Sequence, residues 1–181
     1  NNEYLSALFD SILFKDIIKR YKIRKPHAIE DLAQFLLSNA GNEYSFQRLA
    51  ELTKSKSIHT VQKYLGYLEE AFLLFSLKRF SFKTREQLAS NKKIYAIDNG
   101  FISAKSSKLT QDIGKLYENL AAVHLKKAEI DGKLDFYYWK NSQHEEVDFV
   151  IKEGIKITKL IQVCYDISNP DTKKRLFCSH S

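Results

Sequence analysis

Residues 145–166, EEVDFVIKEGIKITKLIQVCYD, constrain the fold of this chain most strongly. Apolar side chains recur on both sides of a short turn that contains Gly154, a pattern that predicts two paired strands. Asp148 lies on the first predicted strand, and Gln162 and Cys164 lie on the second. Because side chains two positions apart share one face of a strand, Gln162 and Cys164 are expected to point the same way.

The segments before this hairpin predict a small α/β domain over residues 106–181. KLYENLAAVHLKKAEI, residues 115–130, has apolar positions at helical spacing and predicts a helix. LDFYYWKN, residues 134–141, predicts a further strand. Residues 1–105 are richer in helical patterns. The predicted fold class is therefore α/β in the α+β sense, with a helical N-terminal domain followed by a small α/β domain.

Residues 41–105 have the pattern of a winged helix-turn-helix. Ser45 and Ser57 are the expected N-caps of a short helix and of a longer one, with a polar turn between the helices. The alternating LFSLKRFSF and the later KKIYAID predict a hairpin directly after the longer helix, which would form a basic wing. A helix-turn-helix places its second helix in the DNA major groove, and basic side chains around it contact phosphates. The residues expected to contact DNA are His59, Gln62, Lys63, Lys83, Arg85, Lys92 and Lys93.

The charge balance favours a polyanionic partner such as double-stranded DNA. Among 181 residues there are 29 lysines and arginines against 22 acids, a net charge of +7. Two cysteines are too few for a zinc cluster or a disulfide framework, and they fit a reducing, cytoplasmic location. No apolar run reaches the roughly 20 residues of a membrane span, and no P-loop pattern occurs. We expect no metal, no cofactor and no membrane partner for this piece of chain.

Four residues follow the order of a metal-dependent nuclease site: Glu118 on the predicted helix, Asp148 on one hairpin strand, and Gln162 and Cys164 on the next. Hydrolysis of a phosphodiester with a metal needs carboxylates around the cation, and a lysine usually assists. Gln162 supplies a neutral amide where a carboxylate is needed, and Cys164 supplies no fixed positive charge. We expect a buried polar network of Asp148 and Gln162, with Cys164 as a small core residue and no catalytic residue.

Two further residues were weighed as substitutes for the missing groups. Glu146 lies two positions before Asp148 and therefore on the same strand face, where it would offer a second carboxylate. Lys159 has an odd offset from Gln162, which places it on the opposite face. A nuclease that uses Glu118 and Asp148 stays open as an alternative.

The order of several motifs points to a known arrangement. They are LFDSILFKDIIKRYKIR, TVQKYLGYLEEAFLLF, KIYAIDNGFI, GKLYENLAAVHL, FYYWKN, EVDFVI and LIQVCYDI. In this order they resemble the C-terminal half of a family of archaeal and bacterial AAA-class P-loop ATPases. In that family a winged helix and a degenerate PD-(D/E)xK, or restriction-endonuclease-like, domain follow the ATPase core. The resemblance implies that Glu118 and Asp148 occupy nuclease-core positions and that Gln162 and Cys164 mark the inactive version.

The resemblance also implies domain bounds and a role. Residues 1–40 are expected to be a helical lead-in to an ATPase core outside this chain, 41–105 the winged helix, and 106–181 the nuclease-like domain, truncated at its C-terminus. We expect a non-catalytic DNA-binding or regulatory region of that ATPase, with ATP and Mg²⁺ bound only by the ATPase domain. The alternative is an interaction module that joins the ATPase to a partner or to copies of itself.

Overall fold

The computed structural model describes residues 2–55, 57–106 and 112–165. They form mixed helix and strand, which confirms the predicted α+β class. In chain order the elements are α1 (Asn2–Ile12), a π-helical segment (Leu13–Lys19), α2 (Pro26–Ser38), β1 (Glu43–Tyr44), α3 (Phe46–Leu52), α4 (Ile58–Glu70), β2 (Leu74–Leu77), α5 (Thr84–Ala89), β3 (Lys92–Ala96), α6 (Asn99–Lys105), α7 (Ile113–Ile130), β4 (Asp135–Lys140), β5 (Glu146–Glu153) and β6 (Lys156–Ile161). No helix in these described ranges is long and apolar enough to cross a membrane.

The chain divides into two compact units. The first comprises Asn1–Ser76 and Ile94–Gln111, and the second comprises Leu77–Lys93 and Asp112–Ser181. This grouping differs from the expected bounds of 41–105 and 106–181, because residues 77–93 group with the second unit. Two backbone hydrogen bonds show why: Tyr138 N donates to Lys78 O at 3.1 Å, and Phe80 N donates to Tyr138 O at 2.6 Å. Residues 78–80 therefore lie alongside β4, where Arg79 and Tyr138 form an isolated β-bridge.

The first unit is built around apolar faces of its helices. In α1 and the π-helical segment Phe9, Leu13 and Ile17 are buried, and the Phe9 ring meets Phe101 of α6 with centroids 5.5 Å apart. The side chains of Ser45 and Ser57 cap α3 and α4, accepting hydrogen bonds from the backbone N–H groups of Arg48 and His59. Both predicted caps are thus confirmed. The short strands are arranged in the order β1-β3-β2.

The second unit contains an antiparallel sheet in the order β4-β5-β6. The predicted hairpin forms: β5 and β6 pair from Glu153↔Lys156 onward, around a turn where Gly154 has φ 61°. The second strand is shorter than predicted, because β6 ends at Ile161 and Gln162 and Cys164 lie beyond it. A positive φ is accessible to glycine at no steric cost, which fixes the turn at this point. Phe136, Phe149 and other apolar side chains of β4 and β5 are buried in the core.

Helix α7 is buried on its polar side. Glu118, Asn119 and Ala122 are its buried residues, whereas Leu120 of the predicted apolar stripe is 58% exposed. A buried glutamate at a helix centre needs compensating charge or hydrogen bonds. The residues that supply this compensation form the candidate site.

Candidate carboxylate site

The second unit holds three carboxylates around one buried ammonium group. Lys93, from β3, places Nζ 2.8 Å from Glu118 Oε1 on α7 and 2.5 Å from Glu146 Oε1 on β5. Asp148 Oδ1, also on β5, lies 3.9 Å from the same nitrogen. The Tyr138 ring lies 5.6 Å from Nζ and adds a cation–π contact. A lysine thus occupies the point at which the carboxylates converge.

This cluster is deeply buried and its charges are mutually dependent. The side chain of Lys93 is 2% exposed and that of Glu118 is 7% exposed. Burial alone would lower the pKa of Lys93, but the Glu118 and Glu146 carboxylates outweigh it and raise that pKa. Burial would raise the pKa of Glu118, but Lys93 and Lys115 hold it below its usual value. Both groups are therefore charged at neutral pH.

Two more lysines complete the charge balance. Lys115 Nζ, one helical turn before Glu118, donates to Glu118 Oε2 at 2.9 Å. Lys140 Nζ, at the end of β4, lies 3.6 Å from Glu146 Oε2. With Lys93, three ammonium groups face three carboxylates. The charges of these six groups therefore balance.

Asp148 is held by neutral donors. Gln162 Nε2 donates to Asp148 Oδ2 at 2.7 Å, and the backbone N–H of Val163 donates to the same oxygen at 2.8 Å. Burial and the neighbouring Glu118 carboxylate nevertheless raise the pKa of Asp148 to about 6. The predicted Asp148–Gln162 network is thus confirmed. Gln162 Oε1 is buried with no hydrogen-bond partner among the described residues.

The arrangement does not fit a metal ion. Within the described ranges no group of three or more His, Cys, Asp and Glu side chains is placed to hold one. A cation among Glu118, Glu146 and Asp148 would also meet the Lys93 ammonium and be repelled. Hard divalent cations prefer several oxygen ligands, whereas here an amine occupies the shared position. We therefore derive no metal-assisted step at this site.

A cavity of about 620 Å³ lies beside the cluster. Polar side chains from the start of α7 and from the β4–β5 connection dominate its wall. The lining residues include Asp112, Lys115, Glu118, Trp139, His144, Glu145, Glu146, Asp148 and Gln162. Lys93 is not among the cavity's lining residues, so the carboxylates can be reached from the cavity while their central lysine is out of contact with it.

The predicted chemical residues are thus only partly brought together. Glu118, Asp148 and Gln162 meet, and Glu146, weighed as a substitute, joins them through Lys93. Cys164 is a free, half-buried thiol rather than a core residue. Lys159 is exposed on β6, as are its neighbours on both faces of this strand.

The residues expected to contact DNA fall in both units. His59, Gln62 and Lys63 are exposed on α4 of the first unit. In the second, Lys83 and Arg85 are exposed at α5, and Lys83 Nζ donates to Glu86 Oε1 at 2.9 Å. That hydrogen bond lowers the pKa of Glu86.

The two lysines expected in the wing, Lys92 and Lys93, lie on β3. Lys92 is half-buried, and Lys93 is buried at the carboxylate cluster. A buried ammonium cannot reach a DNA phosphate, so the DNA role predicted for Lys93 is corrected here. Sequence reasoning missed its role at the site, although one signal was available. KKIYAID places a lysine inside a strand whose following positions are apolar, where a charge requires a buried partner.

Comparisons with known proteins cover nearly the whole chain. It is 30% identical over 178 residues to an uncharacterized protein of Methanocaldococcus jannaschii, covering 96% of this chain and 39% of the relative. It is 28% identical over 170 residues to an uncharacterized protein of Haemophilus influenzae, covering 90% of this chain and 40% of the relative. The chain therefore spans about two-fifths of the length of these relatives. No solved structure matches it significantly.

Two family descriptions match consecutive parts of the sequence. Residues 113–175 match the Domain of unknown function (DUF4143), which takes in α7 and the β4-β5-β6 sheet. Residues 1–112 match the Domain of unknown function (DUF8612), which is more than half of the chain. The chain belongs to the family described as Domain of unknown function (DUF8612).

Proposed function

We propose that this chain is a non-catalytic region that binds double-stranded DNA. In this proposal the first unit acts as a winged helix and the second as a degenerate nuclease-like unit. The observation that carries it is the outer face of α4, where His59, Gln62 and Lys63 are exposed on a helix whose other face is buried. Glutamine and lysine side chains on such a helix are able to donate hydrogen bonds to base edges and phosphates.

The order of elements supports the winged-helix part. A helix (α2), a strand (β1), two helices joined by a short turn (α3 and α4) and two strands (β2 and β3) follow one another. The strands take the spatial order β1-β3-β2, so the two strands after α4 are neighbours in one sheet. In α4 the buried residues are Val61, Leu65 and Leu68, which leaves the polar side free for a ligand. A second helix presented in this way is the reading element of a helix-turn-helix.

The balanced charge of the second unit supports the non-catalytic part. Lys93 neutralises the carboxylates from within, and Gln162 stands where the nuclease resemblance requires an acid. Purified protein incubated with plasmid and Mg²⁺ or Mn²⁺ is expected to leave the plasmid intact. Metal-dependent cleavage that disappears in Asp148→Ala would favour the nuclease alternative instead.

The remainder of the proposal rests on the resemblance. We place this region next to an AAA-class ATPase domain in a cytoplasmic protein, where it would hold the ATPase on DNA or regulate it. ATP and Mg²⁺ would be bound by that domain only. A longer protein is consistent with the fraction of the relatives that this chain spans.

Fluorescence anisotropy with a labelled duplex tests the DNA proposal. We expect binding whose log K falls by roughly 0.9 per phosphate contact for each log unit of salt. A variant with His59, Gln62 and Lys63 replaced by alanine should bind at least about tenfold more weakly, since each base contact contributes about 1–3 kcal/mol. The matched control is Lys127→Ala, an exposed lysine of α7. Absence of binding by the wild type at low salt would overturn the proposal.

A second candidate, the interaction module, is favoured by exposed apolar side chains on the second unit. On α7, Ile113, Tyr117 and Leu120 are 47%, 50% and 58% exposed, and on the β6 side Ile155 is 93% exposed. A contiguous patch of exposed apolar residues is typical of a surface that binds a protein, and these four side chains are candidates for one. Light scattering over a concentration series tests this: a mass that rises above the monomer favours association, and a constant monomer mass counts against it.

A further inference from the structure

A short stretch after the first helix carries a dense positive charge. Residues 19–25, KRYKIRK, contain five lysines and arginines in seven positions, and we call this stretch the basic segment. All five cations are exposed. In the described part of the chain none of them forms an ion pair, and no acid lies between residues 17 and 29. Their charge is therefore available to a ligand.

The basic segment is fixed in place rather than loose. The backbone N–H groups of Tyr21 and Ile23 donate to Ile17 O and Ile18 O at 2.9 and 3.0 Å. Ile17 and Ile18 are themselves buried in the first unit. The segment is thus tied to the core at its start, and its conformation is defined in the absence of a ligand.

Tyr21 sets this segment against α4. Its ring stacks on Tyr67 with centroids 3.7 Å apart and an interplanar angle of 8°. Its hydroxyl donates to Glu70 Oε2 at 2.5 Å, a bond that raises the pKa of Tyr21. The Arg20 guanidinium lies 5.5 Å from the centroid of the Tyr21 ring. Tyr21, Tyr67 and Arg20 therefore belong to one surface of the first unit.

The covered part of α4 continues its exposed face. Residues 59, 62, 63, 66, 67 and 70 are spaced by three or four and share one side of a helix. The first half of this side, with His59, Gln62 and Lys63, is exposed, and at its far end Tyr21 stacks on the half-buried Tyr67 and donates to the exposed Glu70. The basic segment thus meets α4 through Tyr21 at Tyr67 and Glu70, beyond Lys63 on the same side of the helix.

Gly66, between these two halves, is not required by packing. A Cβ atom added there would meet nothing within 4 Å. Glycine destabilises a helix interior relative to alanine, and in the described ranges no steric contact requires it at this position. A helix surface without a side chain allows close approach of a ligand backbone. This is a second observation that points to contact at this face.

We infer that the basic segment and the outer face of α4 form one continuous surface that binds the phosphate backbone of double-stranded DNA across Gly66. The inference rests on the proposed DNA binding and extends it by naming a second set of phosphate contacts. Exposed, unpaired lysines and arginines in a row match the regular negative charge of a duplex. Phosphate contacts of this kind position a protein on DNA without reading its sequence.

The test compares two triple variants of the full chain by anisotropy over a salt series. In the first, Lys19, Lys22 and Lys25 become glutamine. In the matched control, three exposed lysines of the second unit, Lys127, Lys156 and Lys159, become glutamine, which gives the same change in net charge. We expect the slope of log K against log salt to fall in magnitude by up to about 2.7 in the first variant, at roughly 0.9 per lost contact. The control should keep the wild-type slope.

The outcomes separate the two claims. If the wild type binds DNA and the first variant keeps its slope, this inference fails while the proposed function stands. An equal decrease of the slope in both variants also overturns it, because the effect would then depend on the net charge of the protein and not on where the lysines lie. If the wild type does not bind DNA, the proposed function itself fails. Selective loss of binding to anionic phosphatidylserine vesicles, with DNA binding unchanged, would assign the surface to a membrane and overturn the inference.

Discussion

Replacing Lys93 with methionine is expected to destabilise the protein severely. Methionine preserves most of the volume of the side chain but leaves Glu118, Glu146 and Asp148 without their shared cation. Removal of one partner from a buried ion pair costs about 3–5 kcal/mol, and the 2% exposure of Lys93 means that water cannot replace it. A domain has about 5–15 kcal/mol of total stability. The loss is therefore a large fraction of the free energy of unfolding.

The effect of this substitution should depend on pH. In the wild type, Lys93 and Lys115 hold the pKa of Glu118 low, so the stability from this group is present above the unfolded-state pKa and is lost as pH falls. In the variant, the buried carboxylates have raised pKa values, so the folded state gains stability as pH falls. Between pH 7 and pH 5 the second trend alone narrows the difference between the proteins, because the Glu118 contribution stays present until the pH falls below its ordinary value of 4.5. We expect the free energies of unfolding of the variant and the wild type to differ by about 3–5 kcal/mol at pH 7, and by less at pH 5.

Urea unfolding at the two pH values checks this prediction. The chain has one tryptophan, Trp139, in the wall of the cavity beside the cluster, and its fluorescence reports on the second unit. Lys83→Met is the matched control, because Lys83 pairs with Glu86 at the surface with 78% of its side chain exposed. Exposed pairs contribute about 0–1 kcal/mol, so this control should change little. The reasoning would be refuted if the free energies of unfolding of Lys93→Met and the wild type differed by less than about 1 kcal/mol, or if their difference increased in acid.

Two further substitutions test the site and the DNA surface. Asp148→Asn should stabilise the protein at pH 7 by up to about 3 kcal/mol, since the pKa of Asp148 is raised from 3.8 to about 6 and each unit corresponds to about 1.4 kcal/mol. The stability that Asp148 contributes is present below pH 3.8 and is lost as the pH rises through 6. Urea titrations should therefore show no difference between Asp148→Asn and the wild type at pH 3.5. A variant less stable than the wild type at pH 7 would contradict the prediction. Gly66→Ala should raise the free energy of unfolding by about 0.5–1 kcal/mol, because alanine favours a helix and its Cβ meets nothing within 4 Å. The same variant should bind duplex DNA more weakly in anisotropy, and unchanged affinity would remove Gly66 from the contact surface.

Local features of the fold were predictable because their causes lie within a few residues. The caps at Ser45 and Ser57 bond to N–H groups three and two positions on, and these bonds set the starts of α3 and α4. The β5–β6 pairing follows from alternation and from Gly154 at the turn. The meeting of Glu118, Asp148 and Gln162 was also anticipated, since the order of helix and strands matches a known arrangement.

The role of Lys93 was not predictable in the same way. Lys93 is separated from Glu118 by 25 residues and from the β5 carboxylates by still more. A lysine at the start of a short strand is usually exposed, and the basic residues around it favoured a surface role. The polar side of α7 is buried for a related reason. Glu118 on this side pairs with the Lys93 ammonium, and this pairing decides which side of the helix is buried, although the spacing of apolar residues indicates another side.

The sequence by itself determined where most helices and strands form, where two helices are capped and which acids share the β5 face, because these depend on neighbouring residues. Only the tertiary structure decided that residues 77–93 join the second unit, through hydrogen bonds to Tyr138 about 60 residues away. It also decided that a lysine occupies the centre of the carboxylate cluster. Both outcomes depend on contacts between residues that are far apart in the sequence. The local pattern does not distinguish among the possible partners, and burial and Coulomb attraction select one of them in the folded protein.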